Sequence, residues 1–519
     1  MTDFRYSGTD GICALFITLL VLLLGAATLT CGLPYWGDDS AAYISEGIAI
    51  ADGTFRKQAE LNYIMHPADL SDEADPEGLV YVWGYPLMLA GVYKAVGFDR
   101  KTYSSVLWYK LPLLLSLSLT GGALFLFYRR RFSAGLSAVL AIILCFSTNI
   151  VKHLNYLYAD IPFLFFSVLT LLSMELYSAR ASRSRSMTKR EKAGTAIAAC
   201  LYGAVMWYTH ELRLNGMTVC IIAALGHGLF LWKMRNRIRG KDLWLHCLPY
   251  VVMAALLLVS EHVFLAPATP NISDVGKAGP DVLRSNIETY WNMIFNYLNR
   301  LSKLKIPYTG YVFIAACVLG ILRNGFAGNL HLLLLLAGTL AVDLMLPYTQ
   351  GLRYIYNILP LLLMFTAYGL QAVGKLFRRI LPLPGKLTMC IKICAAALVL
   401  YLPLHDAAVT GLQNLRNWGV VKADDVYAED AVEMYRYIRE HVPEDGTIAF
   451  GKPRSLYLNT ERVCIRTGYN GHKISDAGYY LEYYTNNPQF TVEKEEAEAT
   501  PKEKLYGNDT FTLYRVKHE

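Results

Sequence analysis

Runs of about 20 predominantly apolar residues recur along most of the chain, and this feature limits the fold more than any other. A helix of about 20 apolar residues is long enough to cross the roughly 30 Å hydrocarbon core of a bilayer. Because no water reaches that core, a spanning segment must satisfy its own backbone groups, which favours helices. We therefore expect about eleven spans, at residues 11–31, 104–128, 134–150, 160–177, 193–208, 216–232, 243–265, 308–322, 331–346, 354–373 and 387–404.

Composition agrees with a membrane protein. Of the 519 residues, 54% are hydrophobic, which excludes a string of ordinary soluble domains. Most of the ten cysteines lie inside apolar runs, where they act as small hydrophobic residues. Their spacing predicts neither a disulfide framework nor a CxxC metal site.

The basic residues cluster in short loops between apolar runs, and this indicates how the chain is oriented. The densest clusters lie at residues 129–131, 180–192, 233–241 and 375–386. All of these clusters fall on the cytoplasmic side of the membrane if the chain starts in the cytoplasm and residues 79–98 do not cross the membrane. We therefore expect a multi-pass protein of a bacterial plasma membrane, with a cytoplasmic N-terminus and an extracytoplasmic C-terminus. The net charge of +7 then reflects membrane orientation, and no nucleic acid is expected as a partner.

Residues 79–98 are apolar but differ from a typical span, because they contain Pro86, Lys94 and several Tyr and Trp residues. Aromatic residues of this kind concentrate at membrane–water interfaces. The segment therefore predicts an interfacial helix. It belongs to an outer loop, residues 33–103, within a transmembrane domain that we assign to residues 1–405.

The composition becomes polar after residue 405, and we expect residues 406–519 to form a small extracytoplasmic α/β domain. Residues 428–441 have apolar positions at helical spacing. Strands are predicted at residues 447–451, 461–467, 478–484 and 510–516. The charged run at 493–504 predicts a solvated loop. The predicted fold class is thus an α-helical polytopic membrane protein with a small C-terminal α/β domain.

Two adjacent aspartates, Asp38 and Asp39, follow the first predicted span within the segment LPYWGDDSAAYISEGIAIADG, residues 33–53. One interpretation is structural: Asp39 and Ser40 cap a helix at residues 41–51 and complement its dipole. The other is functional. A carboxylate at the membrane surface takes a proton from an acceptor hydroxyl or holds a divalent metal ion.

A third acid, Asp160, opens a predicted span in the segment NYLYADIPFLFF. An acid at a span boundary is costly unless it is paired or hydrated, so it is a candidate functional residue. Lys152 and His153 lie one or two turns earlier and are candidate partners. N-capping, with Pro162 in the first turn, is the structural alternative.

Basic residues also stand at predicted outer ends of spans. Arg353, followed by Tyr354, either extends to lipid headgroups or grips a phosphate with its fork of N–H donors. His210 and Arg213 lie in a short turn, where a salt bridge between Glu211 and Arg213 is the structural alternative. Any active site is therefore expected on the outer side.

The order of these features resembles that of the polytopic GT-C glycosyltransferases of the protein mannosyltransferase and aminoarabinose transferase (ArnT-like) type. The resemblance covers roughly residues 1–375 and depends mainly on three segments, PYWGDDSAAYISEGIAIADG, NYLYADIPFLFF and LRYIYNILPLLL. It implies a GT-C-like transmembrane domain. It also implies an enzyme that transfers a hexose or pentose, with inversion, from a polyprenyl phosphate to a lipid, glycan or protein acceptor.

The resemblance also implies roles for individual residues. Asp38 or Asp39 looks like the catalytic base or a metal-holding acid, and Asp160 helps to shape the site. Arg353 looks like a donor-phosphate contact. Some members of the family have a lysine just before the proline of the interfacial helix, but here Tyr85 occupies that position. Phosphate binding then falls to Arg353, Arg213, Lys152 or a divalent metal ion.

Other functions fit the sequence less well. The chain has no Walker-type loop, no GxGxxG after a strand and no HExxH, so ATP or NAD chemistry is not indicated. A transporter or flippase of lipid-linked glycans would place charge deep within its spans, whereas here the polar residues gather at one boundary. A structural or sensor protein of the cell envelope would leave the acids and Arg353 without a purpose.

Overall fold

A computed structural model gives the fold, and most of the chain it describes is helical. The described residues are 4–33, 36–65, 81–183, 187–235, 242–264, 276–277, 279–300, 309–326, 328–347, 351–381, 384–422, 424–467, 472–484 and 494–518.

Seventeen helices precede the C-terminal domain within these described ranges. They are α1 Gly8–Ala27, α2 Asp38–Asp52, α3 Phe55–Met65, α4 Gly84–Val96, α5 Val106–Tyr109, α6 Leu111–Arg129, α7 Ala134–Cys145, α8 Thr148–Lys152, α9 Asp160–Ala181, α10 Lys189–Leu212, α11 Gly216–Met234, α12 Leu243–Val263, α13 Pro280–Arg300, α14 Thr309–Gly320, α15 Leu330–Leu344, α16 Leu359–Ile380 and α17 Gly385–Arg416. Short turns of 3-10 helix at His153–Asn155 and Leu352–Ile358 precede α9 and α16.

Within the described residues, seven helical segments are long and apolar enough to cross a membrane. They contain α1, α5 with α6, α9, α11, α12, α16 and α17. The remaining predicted spans also coincide with helices, namely α10, α14, α15 and the pair α7–α8. The polytopic helical fold is thus confirmed, whereas the number of spans stays a prediction.

One predicted span, residues 134–150, is broken. Its two parts, α7 and α8 with the following 3-10 turn, meet at an angle of 45°. The break falls at Ser147, whose backbone is not helical (φ −56°, ψ 127°). Apolar composition reports the length of such a segment but not this local change of direction.

The predicted interfacial segment contains α4, which has 13 residues and is too short to cross a bilayer unaided. Its first residue, Gly84, packs against the backbone of α10, where any Cβ atom would overlap the carbonyl oxygen of Glu211. The hydroxyl of Tyr208 in α10 donates a hydrogen bond to the Gly84 carbonyl oxygen at 2.8 Å. These contacts fix the start of α4, which also packs against α2.

The C-terminal domain combines a five-stranded mixed sheet with three helices, as expected for a small α/β domain. Its strand order is β2-β1-β3-β5-β4. Strand β1 pairs in parallel with β2 and β3, whereas β5 runs antiparallel to both β3 and β4. The elements are α18 Glu429–His441, β1 Ile448–Ala449, α19 Pro453–Thr460, β2 Cys464–Ile465, β3 Tyr479–Tyr483, α20 Lys494–Ala499, β4 Lys502–Gly507 and β5 Phe511–Val516.

One prediction for this domain is wrong, and another is confirmed only in part. Residues 493–504 are not a solvated loop, because they contain α20 and the start of β4. Strand β4 lies at the sheet edge, where exposed charged side chains are common because they discourage further strand pairing. The predicted strand 461–467 shortens to two residues, since Glu461 ends α19 in a left-handed conformation (φ 58°).

Trp36, just before α2, joins the two domains. Its ring is buried against aromatic side chains from α18 and the sheet, with ring centroids 5.5 to 6.4 Å apart. Its partners are Tyr435, Phe450, Tyr483 and Phe511. The beginning of α2 is therefore held by the C-terminal domain as well as by the transmembrane helices.

The contact between α14 and α16 yields a stability prediction. A Cβ atom on Gly369 would overlap the Ala316 carbonyl oxygen, so only glycine permits this approach. We expect Gly369→Ala to lower the free energy of unfolding by about 1–3 kcal/mol through overpacking. Gly374→Ala on the same helix is the control, since nothing lies within 4 Å of its Cβ position. Thermal unfolding in detergent measures both, and equal melting temperatures for the two variants would contradict the packing.

Candidate functional site

Four charged residues from distant parts of the sequence meet in one ion-pair cluster: Asp39, Asp160, Arg213 and Arg353. Asp39 lies in the first turn of α2, and Asp160 is the first residue of α9. Arg213 follows the last residue of α10, and Arg353 lies in the 3-10 turn before α16. Each side chain is thus presented from the end of a helix.

Arg353 is the central member of the ion-pair cluster. Its Nη2 atom lies 3.1 Å from Asp39 Oδ2, and its Nη1 atom lies 4.0 Å from Asp160 Oδ2. Asp160 also forms an ion pair through Oδ1 with Arg213. The side chain of Asp160 is only 3% exposed, whereas that of Asp39 is 32% exposed. Asp39 is therefore the acid of the cluster that a substrate can reach.

Aromatic rings support the two guanidinium groups. The Arg213 guanidinium carbon lies 4.1 Å from the ring centroid of Tyr354, and that of Arg353 lies 5.3 Å from the same ring. Tyr158 supports Arg353 at 4.5 Å. Cation–π contacts of this kind hold both arginines in place without occupying their N–H donors. Tyr354, predicted from the sequence, thus lies between the two arginines.

Tyrosines beside α2 complete the surroundings of Asp39 and were not singled out from the sequence. The Tyr81 hydroxyl donates to Asp39 Oδ1 at 2.8 Å, and its ring stacks on Tyr43 at 4.2 Å. Burial raises the pKa of Tyr81 well above its usual value, and the Asp39 carboxylate adds to this effect, so Tyr81 remains a proton donor. Tyr43 is four residues after Asp39, on the same helix face, and this spacing was the available signal.

Asp38 points away from the ion-pair cluster toward the C-terminal domain. Its Oδ1 atom accepts a hydrogen bond at 3.1 Å from the backbone N–H of Ser455, in the first turn of α19. The proposed capping of α2 is wrong, because α2 begins at Asp38 itself, after Gly37, with no side-chain cap. The carboxylate of Asp38 instead binds the start of a helix in the other domain.

Lys152 and His153 do not form ion pairs with Asp160, which pairs with Arg213 and Arg353 instead. Nδ1 of His153 lies 2.6 Å from the Asn149 carbonyl oxygen and 3.0 Å from the Tyr356 hydroxyl. Lys152 lines a separate cavity. Asp160 does open a helix, but α9 lacks a side-chain cap, so N-capping does not explain it.

The turn between α10 and α11 separates its charged residues. Glu211 accepts a hydrogen bond at 2.9 Å from the Ser260 hydroxyl, whereas Arg213 binds Asp160. The Glu211–Arg213 salt bridge offered as an alternative is therefore wrong. His210 Nδ1 is buried and has no hydrogen-bond partner among the described residues. His210 remains a prediction without a contact to the ion-pair cluster.

Asp343, near the end of α15, is a polar residue that the sequence analysis missed. Its side chain is fully buried, and neither carboxylate oxygen has a hydrogen-bond partner in the part of the chain that the structure describes. Arg213 is close enough to act on it electrostatically. The only sequence signal was one acid inside an otherwise apolar run.

The described carboxylates do not fit a metal ion in this arrangement. Asp38 and Asp39 diverge, one toward a backbone N–H and the other toward Arg353 and Tyr81. Among the described residues, no group of three or more His, Cys, Asp or Glu side chains could hold a metal. Asp38 Oδ1 and both carboxylate oxygens of Asp39 are bound to these N–H and O–H donors, which leaves the pair unsuited to hold a cation.

Comparison with solved structures supports the fold that the resemblance implied. The crystal structure of ArnT from Cupriavidus metallidurans in the apo state aligns with a TM-score of 0.56 and 13% identity, covering 98% of each chain. The same protein bound to undecaprenyl phosphate aligns with a TM-score of 0.52 and 11% identity, again over 98% of each chain. Archaeal oligosaccharyltransferase AglB from Archaeoglobus fulgidus, in complex with an inhibitory peptide and a dolichol-phosphate, aligns with a TM-score of 0.53 and 11% identity. This alignment covers 92% of the present chain and 70% of AglB.

Neither a family model nor a curated protein matches the chain. At the identities found, the structural likeness defines the fold. The protein has an ArnT-like GT-C fold with a small C-terminal α/β domain.

The contact of Asp38 with α19 yields a second stability prediction. We expect Asp38→Ala to destabilise the protein by about 1–2 kcal/mol, because a backbone N–H at the start of a helix loses its buried acceptor. Asp52→Ala at the other end of α2 is the control, since Asp52 is 40% exposed and pairs with Lys94 at the surface. Limited proteolysis measures how fast the C-terminal domain is released from each variant. Equal rates of release from Asp38→Ala and from the control would contradict this role.

Proposed function

We propose that the protein is a membrane glycosyltransferase. It transfers a sugar from a polyprenyl phosphate to an acceptor hydroxyl, with inversion, on the outer face of a bacterial plasma membrane. The observation that carries the proposal is the ion-pair cluster, in which two arginines and an accessible carboxylate meet at the ends of apolar helices. The ArnT and AglB structures, bound to undecaprenyl phosphate and dolichol-phosphate, support a lipid-phosphate donor.

Arg353 and Arg213 are the proposed phosphate-binding residues. Their guanidinium groups present several N–H donors each, and both are fixed by Asp160 and by the ring of Tyr354. Guanidinium forks bind phosphate oxygens in a defined geometry. As the bond between the sugar C1 and the phosphate oxygen breaks, negative charge grows on that oxygen. Two fixed cations stabilise this charge without further rearrangement.

Asp39 is the proposed general base. It is more exposed than Asp160, and Tyr81 and Arg353 fix one carboxylate oxygen each. The acceptor hydroxyl attacks C1 of the sugar, its proton passes to Asp39, and the electron pair of the broken bond leaves with the polyprenyl phosphate. Attack from the face opposite the leaving phosphate inverts C1. Asp38 is bound to α19 and is not the base in this scheme.

Asp160 has a positioning role in this proposal. It is almost completely buried and contacts both arginines, so it does not need to meet the substrate to affect the reaction. Its negative charge keeps the two guanidinium groups close together in the absence of the donor, where they would otherwise repel each other.

The first activity prediction concerns Asp39. We expect Asp39→Asn to lower sugar transfer from a radiolabelled polyprenyl-phosphate hexose or pentose by a factor of roughly 10²–10⁴, because the proton acceptor is lost. Asp52→Asn, on the same helix but outside the ion-pair cluster, is the control and is expected to lose far less. Asp38→Asn is also expected to retain much more activity than Asp39→Asn.

Two outcomes would count against the assignment. If Asp38→Asn abolishes sugar transfer in folded protein and Asp39→Asn does not, the general base is Asp38. If the parent protein moves the lipid-linked sugar across vesicles without consuming it, the flippase alternative replaces the enzyme.

The second activity prediction concerns Arg353. We expect Arg353→Lys to weaken donor binding on the order of tenfold or more, because a point charge replaces a fork of N–H donors. The KM for the donor should therefore rise more than the KM for the acceptor. Arg100→Lys is the control, since Arg100 contacts Leu458 and Glu461 in the C-terminal domain. An unchanged donor KM in Arg353→Lys would exclude this residue as a phosphate contact.

A further inference from the structure

A second cavity lies apart from the ion-pair cluster and has a volume of about 430 Å³. It is bounded by the end of α1, by the break between α7 and α8, and by the end of α17 with the turn that follows it. Hydroxyl and amide side chains line much of its wall, including Thr30, Thr148, Thr410, Asn414 and Asn417. Lys152 is the only lining residue of this cavity that was a candidate site residue from the sequence.

Lys110 holds together part of the wall of this cavity, and no residue of the ion-pair cluster lines it. The ammonium of Lys110 is fully buried and donates to the carbonyl oxygens of Thr30 and Gly32, at 2.7 and 2.6 Å. It also donates to Oδ1 of Asn155 at 3.1 Å. Lys110 thus joins the segment after α1 to the turn before α9.

Two lysines face the cavity and are exposed, Lys152 from α8 and Lys422 from the turn after α17. Neither forms an ion pair with a carboxylate of the described residues. The acidic residues of the wall have other contacts. Asp425 accepts hydrogen bonds from the backbone N–H groups of Leu33 and Tyr427, both at 3.0 Å. Asp406 accepts the Thr148 hydroxyl at 3.3 Å. The cavity therefore offers two ammonium groups to an anion.

Apolar side chains near the end of α17 and in the turn after it extend from the rim of the cavity. Val409, Leu412, Leu415 and Trp418 are each between 37% and 56% exposed. The most apolar part of α17 has none of its residues buried in the protein. That part includes the predicted span 387–404 and precedes residues 409–418; on a helix of this length and hydropathy, its exposed surface is covered by the hydrocarbon of the bilayer.

We propose that this cavity binds the headgroup of an anionic phospholipid. The phosphate lies between Lys152 and Lys422, the side chains of Thr410 and Asn417 bind further headgroup oxygens, and the acyl chains follow the exposed face of α17. Basic residues next to a bilayer surface attract anionic lipids in this way, and Trp418 is suited to the membrane–water interface. The ligand is a membrane constituent and is distinct from the sugar donor.

The test compares lipids on the purified full-length protein in detergent. Phosphatidylglycerol, phosphatidylcholine with the same acyl chains, and inorganic phosphate are titrated separately while the thermal unfolding of the protein is followed. We expect phosphatidylglycerol to raise the melting temperature more than phosphatidylcholine does. In the double variant Lys152→Gln/Lys422→Gln, the apparent affinity for phosphatidylglycerol should fall on the order of tenfold or more.

Two further variants control for charge and for folding. Lys101→Gln removes one exposed positive charge away from the cavity and should keep the lipid preference. Lys152→Arg/Lys422→Arg keeps both charges and should also retain it. The proposal is overturned if the parent does not distinguish the two lipids or if the double Gln variant keeps the preference. It is also overturned if inorganic phosphate at equal concentration reproduces the effect, since the ligand is then a soluble anion.

Discussion

A guanidinium group shared between two carboxylates holds the candidate site together. Arg353 contacts Asp39 and Asp160, and Asp160 in turn binds Arg213. Near the end of a membrane-spanning helix, an unpaired charge is costly, so each member of this group requires the others. Because the four residues come from four different elements, their pairing also fixes the starts of α2 and α9, the end of α10 and the turn before α16 relative to one another.

The helical membrane fold could be predicted from the sequence because the thickness of the bilayer core sets how long an apolar spanning helix must be. Within the described residues, every predicted span coincides with helix, one of them as the broken pair α7–α8. The break between α7 and α8 could not be predicted, since hydropathy does not report backbone angles at Ser147. Strand β4 was missed for a different reason: its charged side chains resemble those of a loop, and only pairing with β5 makes the segment a strand.

The candidate site could be predicted in part. Asp39, Asp160, Arg213 and Arg353 were all singled out, because charged residues at span boundaries are rare and need a reason. Which of them form pairs was not predictable, since that depends on how helix ends meet in space. Lys152 is close to Asp160 in sequence, yet it faces another cavity. Tyr81 was noted only as part of an aromatic segment, because the sequence does not show that its hydroxyl meets a carboxylate.

Asp38 and Asp39 are neighbours in the chain but serve different parts of the molecule. Successive side chains of an α-helix project about 100° apart, so the first turn of α2 directs one carboxylate to α19 and the next to Arg353. These two contacts share a single peptide unit and cannot be adjusted independently. If the C-terminal domain moves, it rotates this turn and displaces Asp39. The docking of that domain is therefore mechanically linked to the position of the proposed base.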